Sequence, residues 1–367
     1  MAYTTIDDPS AFFQTALYTG NGTAIGSGGL TITNDGNSDL KPDWIWHKKR
    51  GGSESGAFAD SSRGTHKGIF PNETNAESSG GSQYVNSFNT DGFTVGNVGW
   101  ANDNSNTYVA WQWKANGGTL TTNDASATSV GTHDSQYQAN TTAGFSIVTW
   151  TGNAEQETLA HGLGAIPEMI WIKNRSDSEG WWVGVTPAGN MSDGKYLLLN
   201  TNDGTATNST SFVNQNPTST VFRVGGSNST ADNAINGNSD NMIAYCFTSI
   251  QGYSKFGSFE GNGNADGPFV YTGFKPAWVM VKNNGGSENW ALHDSKRSPA
   301  NGNKAELFPN IDSTESVGNV RFDLLSNGFK VRQGSATAIN DNGDTIVYFA
   351  FAEHPFASSK GVPATAR

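Results

Sequence analysis

The chain has 367 residues, more than one hydrophobic core ordinarily supports, so two or three domains are the starting expectation. Only 35% of residues are hydrophobic and 15% charged, while 45 are glycine and 11 tryptophan, a composition that charge-driven disorder excludes and that short aromatic strands joined by polar turns would give. A net charge of −11 leaves no basic surplus to neutralise phosphates, so no nucleic-acid partner is expected, and one cysteine, Cys246, excludes an intramolecular disulfide framework.

Read from the N-terminus, Met1 to Phe13 holds no apolar run long enough for a secretion signal, and no later stretch is long enough to cross a membrane as a helix. We expect no membrane insertion, and release by lysis if the protein acts outside a cell. The first strand signal ends in Tyr18-Thr19-Gly20-Asn21. Pro42-Asp43-Trp44-Ile45-Trp46-His47-Lys48 follows, a proline at a strand start where its missing N–H costs least. His47-Lys48-Lys49-Arg50 reads as a solvated strand end rather than a phosphate contact. Next come Asp60-Ser61-Ser62-Arg63, then Phe70-Pro71-Asn72. Asp91-Gly92 is a hairpin signal opening the strand Gly92-Phe93-Thr94-Val95, and Val109-Ala110-Trp111-Gln112-Trp113 closes the set.

The same landmarks then recur in the same order. After a polar stretch come Trp150-Thr151-Gly152-Asn153, Pro167-Glu168-Met169-Ile170-Trp171-Ile172-Lys173, Leu198-Leu199-Asn200, Val221-Phe222-Arg223-Val224 and Ile243-Ala244-Tyr245-Cys246-Phe247. A third round runs through Phe259-Glu260-Gly261-Asn262, Pro276-Ala277-Trp278-Val279-Met280-Val281-Lys282, Phe308-Pro309-Asn310, Asn327-Gly328-Phe329-Lys330-Val331 and Val347-Tyr348-Phe349-Ala350-Phe351. The period is domain-sized rather than solenoid-sized. No segment holds apolar residues at helical spacing for three turns. We therefore expect an all-β chain of three tandem homologous β-sandwich modules, of jelly-roll or lectin-like kind. The boundaries are a first module at 1–118, a linker at 119–142, modules at 143–252 and 253–356, and a flexible tail at 357–367.

The ordered set of Tyr18-Thr19-Gly20-Asn21-Gly22, Pro42-Asp43-Trp44-Ile45-Trp46, Thr90-Asp91-Gly92-Phe93-Thr94 and Tyr108-Val109-Ala110-Trp111-Gln112-Trp113-Lys114 resembles a repeated module of marine tailed-phage virion proteins. Gly252 to Ser258 and Asp266 to Phe274 look like the same pattern, and the resemblance covers Phe12 to Phe356. It implies a β-sandwich module and a place on a phage particle, as a tail-fibre, appendage or host-attachment component assembled in the host cytoplasm. Other virion proteins and a homo-oligomer, a trimer by class, are the partners it implies, with a host-surface glycan as a further one. It carries over no catalytic residue. Long fibres usually begin with an anchor and shaft, and here the first module starts after Ala11, which keeps capsid decoration open as the alternative. A lectin-like carbohydrate binder is the reading from another class.

Candidate chemistry is sparse. Asp60 with Arg63 and Asp294 with Arg297 are the best catalytic pair, but the second module has Thr186-Pro187-Ala188 there, and glycan cleavage needs paired carboxylates. A turn-bonding role is the better reading, and no enzyme and no cofactor are expected. The six histidines lie far apart, and Asn102-Asp103-Asn104 and Asn340-Asp341-Asn342-Gly343-Asp344 offer oxygens of the kind calcium takes but read as solvated turns, so no metal site is assigned. Gly26-Ser27-Gly28-Gly29 and Gly225-Gly226 lack a P-loop's Lys-Ser/Thr end and read as turns. Alternating Trp44 and Trp46, or Trp111 and Trp113, read as core. Trp181, Trp182 and Trp290 follow polar runs at loop-to-strand junctions, and an accessible indole face there is our candidate ligand or partner contact.

Overall fold

A computed structural model describes residues 2–186, 193–208, 212, 215–225, 230–334 and 339–364. Pro187, Ala188, Gly226 and the end of the tail, 365–367, lie outside the described residues. The first third contributes β1 (Phe13–Thr19), β2 (Leu30–Ile32), β3 (Trp44–Lys49), β4 (Ala57–Asp60), β5 (Val85–Phe88), β6 (Phe93–Val95) and β7 (Thr107–Trp113). The segment expected as a linker instead forms β8 (Thr121–Asn123) and β9 (Ser135–Asn140). The second third follows with β10 (Phe145–Thr151), β11 (Glu157–Ala160), β12 (Met169–Asn174), β13 (Trp182–Val185), β14 (Lys195–Leu198), β15 (Ala206–Thr207), β16 (Val221–Val224) and β17 (Asn241–Phe247). The last holds β18 (Ser254–Glu260), β19 (Phe269–Tyr271), β20 (Phe274–Asn283), β21 (Ala291–Asp294), β22 (Phe322–Leu325), β23 (Gly328–Val331) and β24 (Thr345–Pro355).

The protein is all-β, and each third repeats one plan. A four-stranded antiparallel sheet runs β1-β7-β3-β4 in the first module and β18-β24-β20-β21 in the third; β10-β17-β12-β13 is the same core of a longer sheet in the second. The second sheet is longer because β9 and β8 add beyond β10, while β14 and β15 add beyond β13. The expectation of a free linker at 119–142 is thereby corrected: Tyr137 and Ala139 pack on an apolar cluster, and the backbone pairs with β10. A smaller sheet covers one face of each large one, β2-β6-β5, β11-β16 and β19-β23-β22.

Side-chain alternation divides each large sheet between two cores. Trp44 and Trp46 point one way and Ile45 the other; Met169 and Trp171 oppose Ile170 and Ile172; Trp278 and Met280 oppose Val279 and Val281. The last strands match, with Trp111 and Trp113, Tyr245 and Phe247, and Phe349 and Phe351 all on the aromatic side. The aliphatic faces meet their own small sheets in three separate clusters. The aromatic faces of all three modules meet one another in a single shared core. There Trp44 stacks on Trp113 at 4.3 Å and on Tyr245 of the next module at 4.8 Å, while Trp113 meets Trp278 edge-on at 5.8 Å. The three modules therefore close as a ring, aromatic faces inward, with pseudo-threefold symmetry.

The repeated Gly-Asn landmark has a local cause. A Cβ at Gly20, Gly152 or Gly261 would fall about 2 Å from the carbonyl oxygen of Asp103, Gly237 or Asp341. Asn102, Asn236 and Asn340, all fully buried, plug the same corner; Asn102 and Asn340 accept from the backbone N–H of Asn21 and Asn262, and Asn236 donates to Asn153. Asn102 and Asn340, from the two loops considered for calcium, are thus spent on the backbone of the Gly-Asn turns.

Because one face of every large sheet is covered only by the other modules, the full chain is expected to unfold in a single calorimetric transition, and a 1–118 fragment to show no cooperative unfolding at all. Three resolved transitions, or a fragment that melts sharply, would contradict the shared core. Trp171→Ala is expected to cost about 3–5 kcal/mol in denaturant unfolding.

Candidate functional site

Of the residues singled out by sequence, Trp181, Trp290, Asp60 and Asp294 converge on the seams between modules, while Trp182 packs within its own. Each seam is built from the loop after the fourth strand of one module and the aromatic sheet of the next, in the cyclic order first to second, second to third, third to first.

Two elements recur at all three seams and a third at two of them. Glu77 N donates to Arg175 O at 2.8 Å, Thr205 N to Asn284 O at 2.9 Å and Glu315 N to Arg50 O at 3.0 Å. The lysine ending each proline landmark reaches across: Lys173 Nζ donates to Thr74 O at 2.9 Å, Lys282 Nζ to Asn202 O at 3.0 Å and Lys48 Nζ to Ile311 O at 2.7 Å. Each ammonium also binds carbonyls of its own module, as Lys173 does with Asn174 and Glu179. Finally, Trp181 Nε1 donates to Phe70 O at 2.8 Å and Trp290 Nε1 to Leu198 O at 3.0 Å. In the remaining seam the equivalent position is Gly56, where a Cβ would meet the Trp46 indole nitrogen at 3.1 Å.

The expectation of accessible indole faces is not met. Trp181 and Trp290 are fully buried in the shared core, and Trp182 is buried and stacked on Tyr196 at 3.9 Å. All eleven tryptophans are buried. Likewise His47, Lys48 and Lys49 are buried rather than a solvated strand end: His47 packs on Phe93 and Trp100, Lys49 pairs with Asp103, and the third module's loop takes Lys48.

Asp60 and Asp294 form the polar centre of two seams. Arg63 Nε donates to Asp60 Oδ2 at 2.5 Å, Tyr245 Oη donates to the same oxygen at 2.7 Å, and Arg63 Nη1 reaches Glu77 at 3.1 Å. Glu77 in turn accepts from Arg175 at 2.9 and 3.1 Å. The third-to-first seam repeats the set. Arg297 Nε donates to Asp294 at 2.5 Å, Trp111 Nε1 donates to Asp294 at 3.0 Å, and Glu315 links Arg297 to Arg50. The Asp60, Asp294, Arg63 and Arg297 side chains have no solvent exposure. Burial opposes charge on Glu77, yet Arg175 and Arg63 hold its carboxyl down at about 2.

The second-to-third seam replaces every member. Val185 pairs with Met169 as Asp60 pairs with Trp44, so the acid position is Val185 and Thr186 matches Ser61. By register, Tyr245 and Trp111 become Phe349, Glu77 becomes Thr205 and Arg175 becomes Asn284. Donor and acceptor disappear together, leaving Val185 and Phe349 in the shared core. Buried and bonded to residues of the neighbouring module, the acids and arginines act as locks between modules. Among the described residues no cluster of His, Cys, Asp and Glu suits a metal.

The fold and these seams define an all-β protein whose three similarly built sheet units close into a ring around one aromatic core. The chain belongs to the family described as Domain of unknown function (DUF7483), which matches residues 8–355. That match begins just before β1 and ends with β24, so it takes in all three modules. No curated protein matches the sequence.

Asp60→Ala is expected to destabilise by about 3–5 kcal/mol, since it strands Arg63 without its buried partner. Replacing the whole first-to-second seam by the residues of the second-to-third seam (Asp60→Val, Arg63→Ala, Glu77→Thr, Arg175→Asn, Tyr245→Phe) is expected to recover most of that loss in the same urea titration. If the five-fold variant is no more stable than Asp60→Ala, the seams are not interchangeable.

Burial also pulls the Lys48, Lys173 and Lys282 ammonium groups down to about 8. Between that value and the ordinary lysine range the unfolded chain binds more protons, so stability is expected to rise across roughly pH 8 to 10. Burial pulls His47 to about 3 and His161 to about 4. Below roughly pH 6.5 the unfolded chain protonates first, so stability falls as acid is added. Melting temperature against pH checks both limbs, and His47→Val, the residue of the third module, should soften the acid one.

Proposed function

We propose that the chain is a structural protein of a tailed-phage virion, a tail-fibre-like appendage or host-attachment component that acts by assembly rather than by catalysis. The observation that carries the reading is the ring. Three copies of a module that resembles those of phage virion proteins close head to tail around one axis. Phage appendages of this class are commonly trimers, and here one chain would supply from its own three modules the symmetry that three chains would otherwise provide. The best-placed acids and tryptophans are spent on holding modules together, which suits a mechanical part. Neighbouring virion proteins are the partners we propose, with a host-surface glycan as a further ligand of the assembled particle.

Immunogold labelling of purified particles is the test. Gold at the tail or its appendages is the expected result. Gold spread over the head would replace this reading with capsid decoration, and protein found only free in the lysate would remove it from the particle.

A further inference from the structure

A groove of about 380 Å³ runs along the outer edge of β1, between that strand and the third module. Phe13, Thr15, Asp35, Ala277, Ser295 and Lys296 are among its walls. The corresponding edges of the other two modules are covered. In the second, β9 lies against β10, with Asn140 opposite Phe145, Gln138 opposite Ile147 and Gln136 opposite Thr149. In the third, Ile250 bridges Ser254, and Phe256 N donates to Ser249 Oγ. Each covering segment directly precedes the strand it covers. The segment before β1 instead turns away through Pro9–Ala11 and sends Tyr3 to Gly273 of the third module and Thr4 to Gln251, just ahead of that module's first strand.

The edge left behind is unmet. Lys114 N donates to Phe12 O and Gly20 N to Asn106 O, which fixes the even-numbered residues of β1 as those bonded to β7. Phe13, Thr15 and Leu17 therefore aim N–H and C=O outward, where no described residue takes them. Thr15 adds a side-chain group: it is 6% exposed, and its Oγ1 is buried with no partner among the described residues. The second module shows what fits such a slot. Gln138 Nε2 donates to Ser61 and Ser62 of the first module at 2.9 and 2.6 Å, and Asn140 Nδ2 to Ala115 O at 3.2 Å. The third-module equivalents of those residues are Ser295, Lys296 and Glu353, and all of them line the groove.

We propose that the outer edge of β1 is a docking site for an extended segment of a partner polypeptide, which joins the first module antiparallel as β9 joins the second. Main-chain pairing to Phe13, Thr15 and Leu17 supplies the affinity, and side chains on alternate residues the selectivity. A Gln or Asn faces Ser295 and Lys296, as Gln138 faces Ser61 and Ser62. Asp8, Asp35 and Glu353 outnumber Lys296 around the groove, so the segment is neutral to basic elsewhere. Lys296 is tied to Asp35 at 2.6 Å, an exposed pair weak enough to open for it. The inference stands on the groove and does not depend on a place in a virion.

The probe is a synthetic peptide copying Thr132–Asn140, added to the full-length chain and followed by hydrogen exchange. Slowed exchange at Phe13 to Leu17 is the expected result. Leu17→Pro removes one outward N–H and leaves the ladder to β7 intact, so it should weaken binding at least about tenfold with the melting temperature little changed. Should that variant not fold, Ala277→Leu, which narrows the groove from the opposite wall, should weaken binding likewise. Unaltered exchange along β1 at millimolar peptide, or protection confined to other strands, would overturn the proposal. Protection of the same amides by concentration alone, without peptide, would overturn it in favour of a second copy of the chain.

Discussion

The structure depends on one constraint: each large sheet is apolar on both faces, and its own module covers only one. Alternation along β3, β12 and β20 sends aliphatic residues to the small sheet and aromatics away from it. A sheet with an uncovered row of tryptophans exposes an apolar patch far larger than a soluble monomer tolerates. Closing three such faces on one another removes all of them from water at once. The other features follow from that closure. Loops must cross from module to module, and their backbone groups need partners where they cross, which is where the buried lysines, the indole N–H groups of Trp181 and Trp290, and the aspartates are found.

The shared core is not chemically uniform. Trp44, Trp46, Trp113, Trp171 and Trp278 have indole nitrogens with no oxygen partner among the described residues. Their rings meet neighbouring aromatics edge to face, as Trp46 meets Trp171 at 84° and Trp113 meets Trp278 at 89°. Aromatic faces are weak acceptors, worth a fraction of a carbonyl. Those five rings are thus held by area and shape, while Trp111, Trp181, Tyr245 and Trp290 of the same core bond to oxygens at the seams.

Much of this was legible in the sequence. Repetition of five landmarks gave the three-module plan, and residue type gave strands, because both are local signals. What escaped is non-local. The run Trp44 to Lys49 is buried throughout, a sign of a strand covered on both faces, but a run of six cannot say what covers it. Polar stretches before Trp181 and Trp290 resembled surface loops because their covering belongs to another module. The lysine repeated at positions 48, 173 and 282 was the overlooked hint: a solvated strand end has no reason to keep one residue type in three copies. Asp60 and Asp294 carried a second hint, since each has a Tyr or Trp counterpart in another module, while Val185 is matched by Phe349. Ser135–Asn140 has too few apolar residues to announce a strand, and only its pairing with β10 makes it one.

The unequal seams have a consequence for how the ring finds its order. Three similar modules could also close in the opposite sequence, or trade places between chains crowded together during synthesis. Closed the wrong way round, Asp60 would meet Phe349 and the Trp111 indole would meet Val185, stranding a carboxylate and a donor inside the core. A buried charge without its partner costs several kcal/mol, enough to empty the wrong arrangement. The one apolar joint thus acts as a key: by differing from the other two it gives an almost symmetric object a single correct way to be put together.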